Sequence, residues 1–126
     1  MFSESLSFNR SITHLTVFID YQEFNFAELY NLTHLQKLTL EGIMPPHPTL
    51  LIEGEVKMPP NLKCFEIHQQ KVYSRHAVIL LHALEGTNIE HISLKGTNIE
   101  ENFLHVDLVR MLPKMKNIKT FLITDL

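Results

Sequence analysis

Eight histidines in a chain of 126 residues raise the first chemical question, because neutral imidazole is the commonest metal ligand among side chains. Their spacing does not assemble a site. His14 and His34 each sit in a Thr-His-Leu phrase and are expected to take equivalent places in a repeating structure. His76 and His82 lie six apart in a helical segment and share no face. His105 and Asp107 are two apart, a spacing that turns two helical side chains away from each other. No His-Glu-x-x-His, paired Cys-x-x-Cys or mixed Cys/His spacing of the zinc kind occurs. Cys64 with His91 as base is the one nucleophile arrangement to weigh, but no neighbouring residue supplies activation or an oxyanion hole. A glycine-rich lysine loop for phosphates is also missing from the sequence. The expectation is a protein that is not an enzyme and needs no cofactor or metal.

Bulk properties narrow the class further. With 44% apolar and 20% charged residues, the composition is that of one globular domain. A formal charge of −3 provides no basic field, so nucleic acid is not expected as a partner. The opening MFSESLSFNR has no basic n-region and no apolar core of a secretory signal. No apolar run reaches the roughly 20 residues that span a bilayer, so no membrane partner is expected. A single cysteine, Cys64, rules out an internal disulfide and suits a reducing, cytoplasmic setting. The two Asn-x-Ser/Thr triplets, at Asn9 and Asn31, therefore read as chance matches.

The elements that would position any functional residue come from a repeated hexamer, apolar-x-x-apolar-x-apolar. It occurs at Leu35-Leu38-Leu40, Leu62-Phe65-Ile67, Ile89-Ile92-Leu94 and Ile118-Phe121-Ile123, with a weaker first copy at Leu15-Phe18-Asp20. The first positions, 15, 35, 62, 89 and 118, are separated by 20, 27, 27 and 29 residues. Each hexamer alternates over its last four residues as a half-buried strand does, which predicts strands near 15–20, 35–40, 62–67, 89–94 and 118–123. Between the third and fourth copies, Ala77, Leu80, Leu81 and Leu84 recur at helical spacing, with Ser74 as N-cap and Gly86 as C-terminal stop. Leu104, Leu108 and Leu112 predict a second helix ending at Pro113, opened by an Asn98/Glu101 capping box. Five prolines in residues 43–60 forbid a helix there and predict an irregular segment with a short strand near Leu50–Val56. The first interval has room for one short helix. The pentapeptide Gly-Thr-Asn-Ile-Glu, at Gly86–Glu90 and Gly96–Glu100, is too closely spaced to be the repeat, and marks the two ends of one strand.

This pattern resembles the leucine-rich-repeat family over roughly residues 12–126. The stretch Leu62–Leu94 is most similar to the helix-containing repeats of ribonuclease inhibitors and of the C-terminal region of nucleotide-binding leucine-rich-repeat (NLR) receptors. Past the strands, Gln70 with Val72 and Thr97 with Ile99 stand where the family places a polar residue and then an apolar one. Ile43 and Pro45 break that rule. The resemblance implies one α/β solenoid domain over 1–126, a short horseshoe arc. It would have five parallel concave strands, convex helices in the C-terminal half and irregular Pro-rich convex segments in the N-terminal half. It also implies a module that recognises protein, as the ligand-sensing or autoinhibitory region of an innate-immune NLR-like receptor. With only Thr-Asp-Leu after the last strand in place of a completing turn and helix, the expectation is a fragment or C-terminal module.

In such an arc the residues between the apolar positions project from the concave face in three rows. The first is Val17, Lys37, Cys64, His91 and Thr120; the second is Ile19, Thr39, Glu66, Ser93 and Leu122; the third is Tyr21, Glu41, His68, Lys95 and Thr124. The expected partner-binding residues are Lys37, Thr39, Glu41, Cys64, Glu66, His68, His91, Ser93, Lys95, Thr120 and Leu122. Five strands at about 4.8 Å spacing span only some 20–25 Å, a small surface against the roughly 800 Å² per partner of a standard interface. The alternative function is structural: exposed terminal strands recruit other strands, so pairing through the ends, with other copies or by packing against the rest of a longer chain, would make a structural or self-assembling element.

Overall fold

An apolar triplet at positions one, four and six of a short strand cannot be buried by its own segment, so it needs the same triplet beside it. A computed structural model of the protein, describing residues 11–19, 23–42, 51–53, 56–68, 74–95 and 106–124, shows this arrangement. In chain order the strands are β1 (His14–Ile19), β2 (Glu23–Asn25), β3 (Lys37–Gly42), β4 (Leu51–Glu53), β5 (Cys64–His68), β6 (His91–Lys95) and β7 (Thr120–Thr124). Five of them form one parallel sheet in the order β1-β3-β5-β6-β7, and β2 and β4 pair in parallel as a second, two-stranded sheet. Helices are few: α1 (Ser74–Leu84), a short α2 (Leu108–Met111), and 3-10 turns at Phe26–Asn31 and Leu112–Lys114.

The register stacks the triplets in layers. Leu38 pairs with Phe65, Phe65 with Ile92 and Ile92 with Phe121, while Leu40, Ile67, Leu94 and Ile123 form the next layer. On the three inner strands and their approaches, Leu35, Leu38, Leu40, Leu62, Phe65, Ile67, Ile89, Ile92 and Leu94 are buried. Ala77, Leu80, Leu81 and Leu84 of α1 complete this core. A second repeating feature lies in the backbone. The carbonyl of Thr13 accepts the N–H groups of both Gln36 and Lys37; Gln36 does the same for Lys63 and Cys64. Lys63 continues it with Glu90 and His91, and Glu90 with Lys119 and Thr120. This shared-carbonyl ladder defines equivalent residues independently of side chains: 13, 36, 63, 90 and 119.

That equivalence corrects the first repeat. Counting from Leu15 aligns Val17 with Lys37, yet the structure pairs His14 with Lys37, Leu15 with Leu38 and Val17 with Leu40. The true first triplet is Ile12-Leu15-Val17, three residues earlier, and the odd offset exchanges the two faces of the strand. Val17 is therefore in the core at 8% exposure, and Phe18 stands outside at 60%. The shared Thr-His-Leu phrase misleads for the same reason: His14 is in β1, whereas His34 lies in the turn before β3. Ile19 enters β1 as the partner of Gly42 rather than of Thr39, and Tyr21 lies outside the described residues.

The helix stop also works differently from the expectation. A side chain at Gly86 would meet nothing within 4 Å, so glycine is not demanded there for space. Thr87 closes the helix instead, with its N–H 3.1 Å and its hydroxyl 2.7 Å from the Leu84 carbonyl. The next residues of the first Gly-Thr-Asn-Ile-Glu lead into β6, with Ile89 buried and Glu90 on the carbonyl ladder. Its second copy, the capping box at Asn98 and Glu101, and the positions after each strand (43, 45, 70, 72, 97, 99) fall outside the described residues. Within the described part of the interval between β6 and β7, a wider turn at 106–107 gives way to α2 and then to the 3-10 turn holding Pro113. Proline has no N–H to continue an α-helical ladder. In the Pro-rich interval, β4 falls inside the short strand expected near 50–56.

Two substitutions test the corrected register. Val17→Asp places a carboxylate in the core and is expected to cost at least about 2 kcal/mol in urea unfolding. Phe18→Ala, one residue on but outside the core, is expected to change stability by no more than about 0.5 kcal/mol. The opposite ranking would restore the alignment on Leu15.

Candidate partner-binding face

With the triplets turned inward, alternate residues of five strands form the other face of the sheet. The register sets His14, Lys37, Cys64, His91 and Thr120 in one row, and Thr16, Thr39, Glu66, Ser93 and Leu122 in the next. Phe18, Glu41, His68, Lys95 and Thr124 make the third. All eleven residues expected on the face from Lys37 to Leu122 stand in these rows. The misplaced members are those of β1, where His14, Thr16 and Phe18 replace Val17, Ile19 and Tyr21.

Glu66, near the centre, organises the charge. Its Oε2 lies 3.8 Å from Lys37 Nζ on the neighbouring strand, and its Oε1 lies 3.0 Å from His68 Nε2. The His68 nitrogen is buried and is not aligned on Glu66 for a hydrogen bond, so that contact is one of charge whenever the imidazole is protonated. Cys64 Sγ donates to Glu66 Oε2 at 3.7 Å. The thiol thus turns to Glu66 rather than to its row neighbour His91. Burial pushes the Cys64 thiol above its ordinary value, and the Glu66 charge pushes it further, against a smaller opposing pull from Lys37. A thiol held protonated is a poor nucleophile.

The small residues of the middle row are overtopped by longer register neighbours. Thr39 and Ser93 are buried although they point away from the core, and no described group bonds the Ser93 hydroxyl. Around Thr39 the face dips into an open depression of about 290 Å³, lined by His14, Thr16, Lys37, Glu41, Glu66 and His68 among others. Among the described residues, the two large apolar side chains exposed on this face are Phe18 and Leu122, one on each edge strand.

A second charged row, absent from the sequence reading, runs along the strand entrances at the ladder positions Lys63, Glu90 and Lys119. Lys119 Nζ is 3.1 Å from Glu90 Oε1. That hydrogen bond and the Lys119 charge hold the Glu90 carboxyl below its ordinary value, with Lys63 adding to the effect. One residue before each of the last three triplets is an asparagine. Asn61 Nδ2 donates to the Thr33 carbonyl at 2.7 Å, and Asn117 Nδ2 reaches Asn88 Oδ1 at 3.4 Å. The signal for both rows was present in the parallel strings Asn61-Leu-Lys, Asn88-Ile-Glu and Asn117-Ile-Lys.

Among the described residues, no three His, Cys, Asp or Glu side chains converge on a point that could hold a metal ion. No described helix is long and apolar enough to cross a membrane. Comparison of the chain with protein-family models, with curated proteins and with solved structures returns no match.

Two titrations check these electrostatics. Since folding favours the protonated Cys64 thiol, the stability this carries is complete below the unfolded thiol pKa and is lost as pH rises through the folded value. The pH midpoint of Cys64 alkylation is expected to be higher in the folded than in the denatured chain, and Glu66→Gln is expected to lower it. For Glu90 the sign reverses: the stability is present above the unfolded carboxyl pKa and is lost as pH falls through the folded one. By NMR titration, Lys119→Gln is expected to move the Glu90 midpoint upward, toward its ordinary value.

Proposed function

We propose that the chain is a non-enzymatic protein-recognition module, a short leucine-rich-repeat arc that offers its open sheet face to a cytoplasmic protein partner. The observation that carries this is a parallel sheet with no described element packed on one of its faces. Parallel sheets are normally covered on both faces, and their strands then read as continuous apolar runs. Here the strands alternate, and β5 shows it in its burial, with Phe65 and Ile67 inside and Cys64, Glu66 and His68 half-exposed. A layer of ordered, charged and hydrogen-bonding side chains stands where other parallel sheets carry helices.

The chemistry of the face fits a protein ligand better than a small molecule. Its depression is open and shallow, whereas small-molecule pockets enclose most of their ligand. Lys37, Glu41, Glu66, His68, His91 and Lys95 provide both signs of charge, which sets specificity and association rate, and Phe18 and Leu122 supply apolar contacts at the two sides. By its resemblance to NLR-type repeats, the module is the ligand-sensing or autoinhibitory region of an innate-immune receptor.

The test is a charge reversal on the exposed part of the face. For a partner identified by proximity labelling with the full chain, Lys37→Glu, His91→Asp and Lys95→Glu together are expected to weaken binding by about 30-fold or more in calorimetry. Unchanged affinity would show that the partner docks elsewhere.

A further inference from the structure

Among the described residues β1 and β7 are the outer strands of the five-stranded sheet, and each leaves open half of a contact that the inner strands make in full. The inner triplets are 0–2% exposed, because a like triplet covers them on both sides. At the ends the same residue types are only partly buried: Ile12 and Leu15 beside β1, and Ile118, Phe121 and Ile123 beside β7. A parallel strand with an apolar triplet at the same one-four-six spacing and the same carbonyl pattern would complete these layers as the inner strands complete one another. Each copy of the chain carries the matching half on its opposite end. Lys119 occupies the ladder position whose carbonyl, in every inner repeat, accepts two N–H groups from the next strand. Thr13 and His14 occupy the positions whose equivalents, Gln36 with Lys37 and Lys63 with Cys64, donate them.

We infer that copies of this chain associate head to tail, β7 of one copy pairing in parallel with β1 of the next. Continuing the register sets Thr120 beside His14, Leu122 beside Thr16 and Thr124 beside Phe18 across the junction. The placement of apolar side chains on the open face supports this independently. Leu122 and Phe18 are its large exposed apolar residues, at 42% and 60%, and they sit on opposite edge strands as far apart as the sheet allows. Across a head-to-tail junction they become diagonal neighbours, within reach of an aromatic ring. The contact joins two different surfaces, so it does not close at two copies; it grows into a filament or closes only as a larger ring. The junction uses the edge strands, so its Phe18 and Leu122 variants are distinct from the inner-strand substitutions at Lys37, His91 and Lys95 that test partner binding.

Sedimentation velocity on the full chain over a concentration series tests it, with Phe18→Lys blocking one edge and Leu122→Lys the other. Both sites are exposed, and an unchanged circular dichroism spectrum confirms the fold; Thr16→Lys and Thr120→Lys, also at exposed positions, replace either variant that fails that check. The expected result has three parts: the parent chain grows beyond dimers with concentration, each variant alone stays monomeric, and the mixture of the two forms a heterodimer and goes no further. A parent chain that is monomeric at high micromolar concentration overturns the inference. So does a parent that stops at a dimer, or a single variant that still dimerises, because an edge pairing with its own kind needs only one intact end.

Discussion

The structure depends on one constraint: no repeat can bury its own apolar triplet. Each strand supplies three inward residues and leaves their flanks to its neighbours, so register is the quantity that stability controls. A slip of β5 by one residue would turn Phe65 and Ile67 to solvent together. The shared-carbonyl ladder reinforces this by fixing where each strand begins, with one oxygen serving two donors at every step from Thr13 to Glu90. Because the triplets and the ladder agree on the same equivalences, the chain has little freedom to pair otherwise.

Function is a by-product of that packing. Once alternate residues are committed inward, the remainder must form straight rows on the other face, whatever their identity. The rows bring together side chains that are far apart in sequence, such as Lys37 and Glu66. They also place Cys64, Glu66 and His68 side by side along one strand. The cluster formed in this way is ion-paired and hydrogen-bonded, and its thiol is held in the protonated form by burial and by Glu66. Such an environment orders side chains for contact and opposes nucleophilic attack by sulfur.

The same register links the face to its edges. The central residues are polar and largely paired, while exposed apolar area collects on β1 and β7, where the layers of the core are also incomplete. A single period thus determines the rows of the open sheet face and the register at the two outer strands that flank it.

Much of this was legible in the chain alone, and the failures have physical causes. The apolar hexamers at Leu35, Leu62, Ile89 and Ile118 identified four strands and their inward residues, because burial on one face leaves a period-two trace. The helix Ser74–Leu84 was legible from its apolar spacing. The first repeat was not, since Leu15-Phe18 and Ile12-Leu15-Val17 both satisfy the apolar pattern locally. Only pairing with β3 decides between them, by matching Leu15 to Leu38 and leaving Phe18 outside. The Lys63, Glu90 and Lys119 row was also missed, because its members stand 27 and 29 residues apart and gain meaning only when the strands are laid side by side. The sequence by itself determined which residues alternate and how often the pattern returns, because hydrophobic burial acts on each segment locally. The tertiary structure decided which residues meet across strands, because Coulomb attraction and hydrogen bonding act at a few ångströms and require the register to be set first.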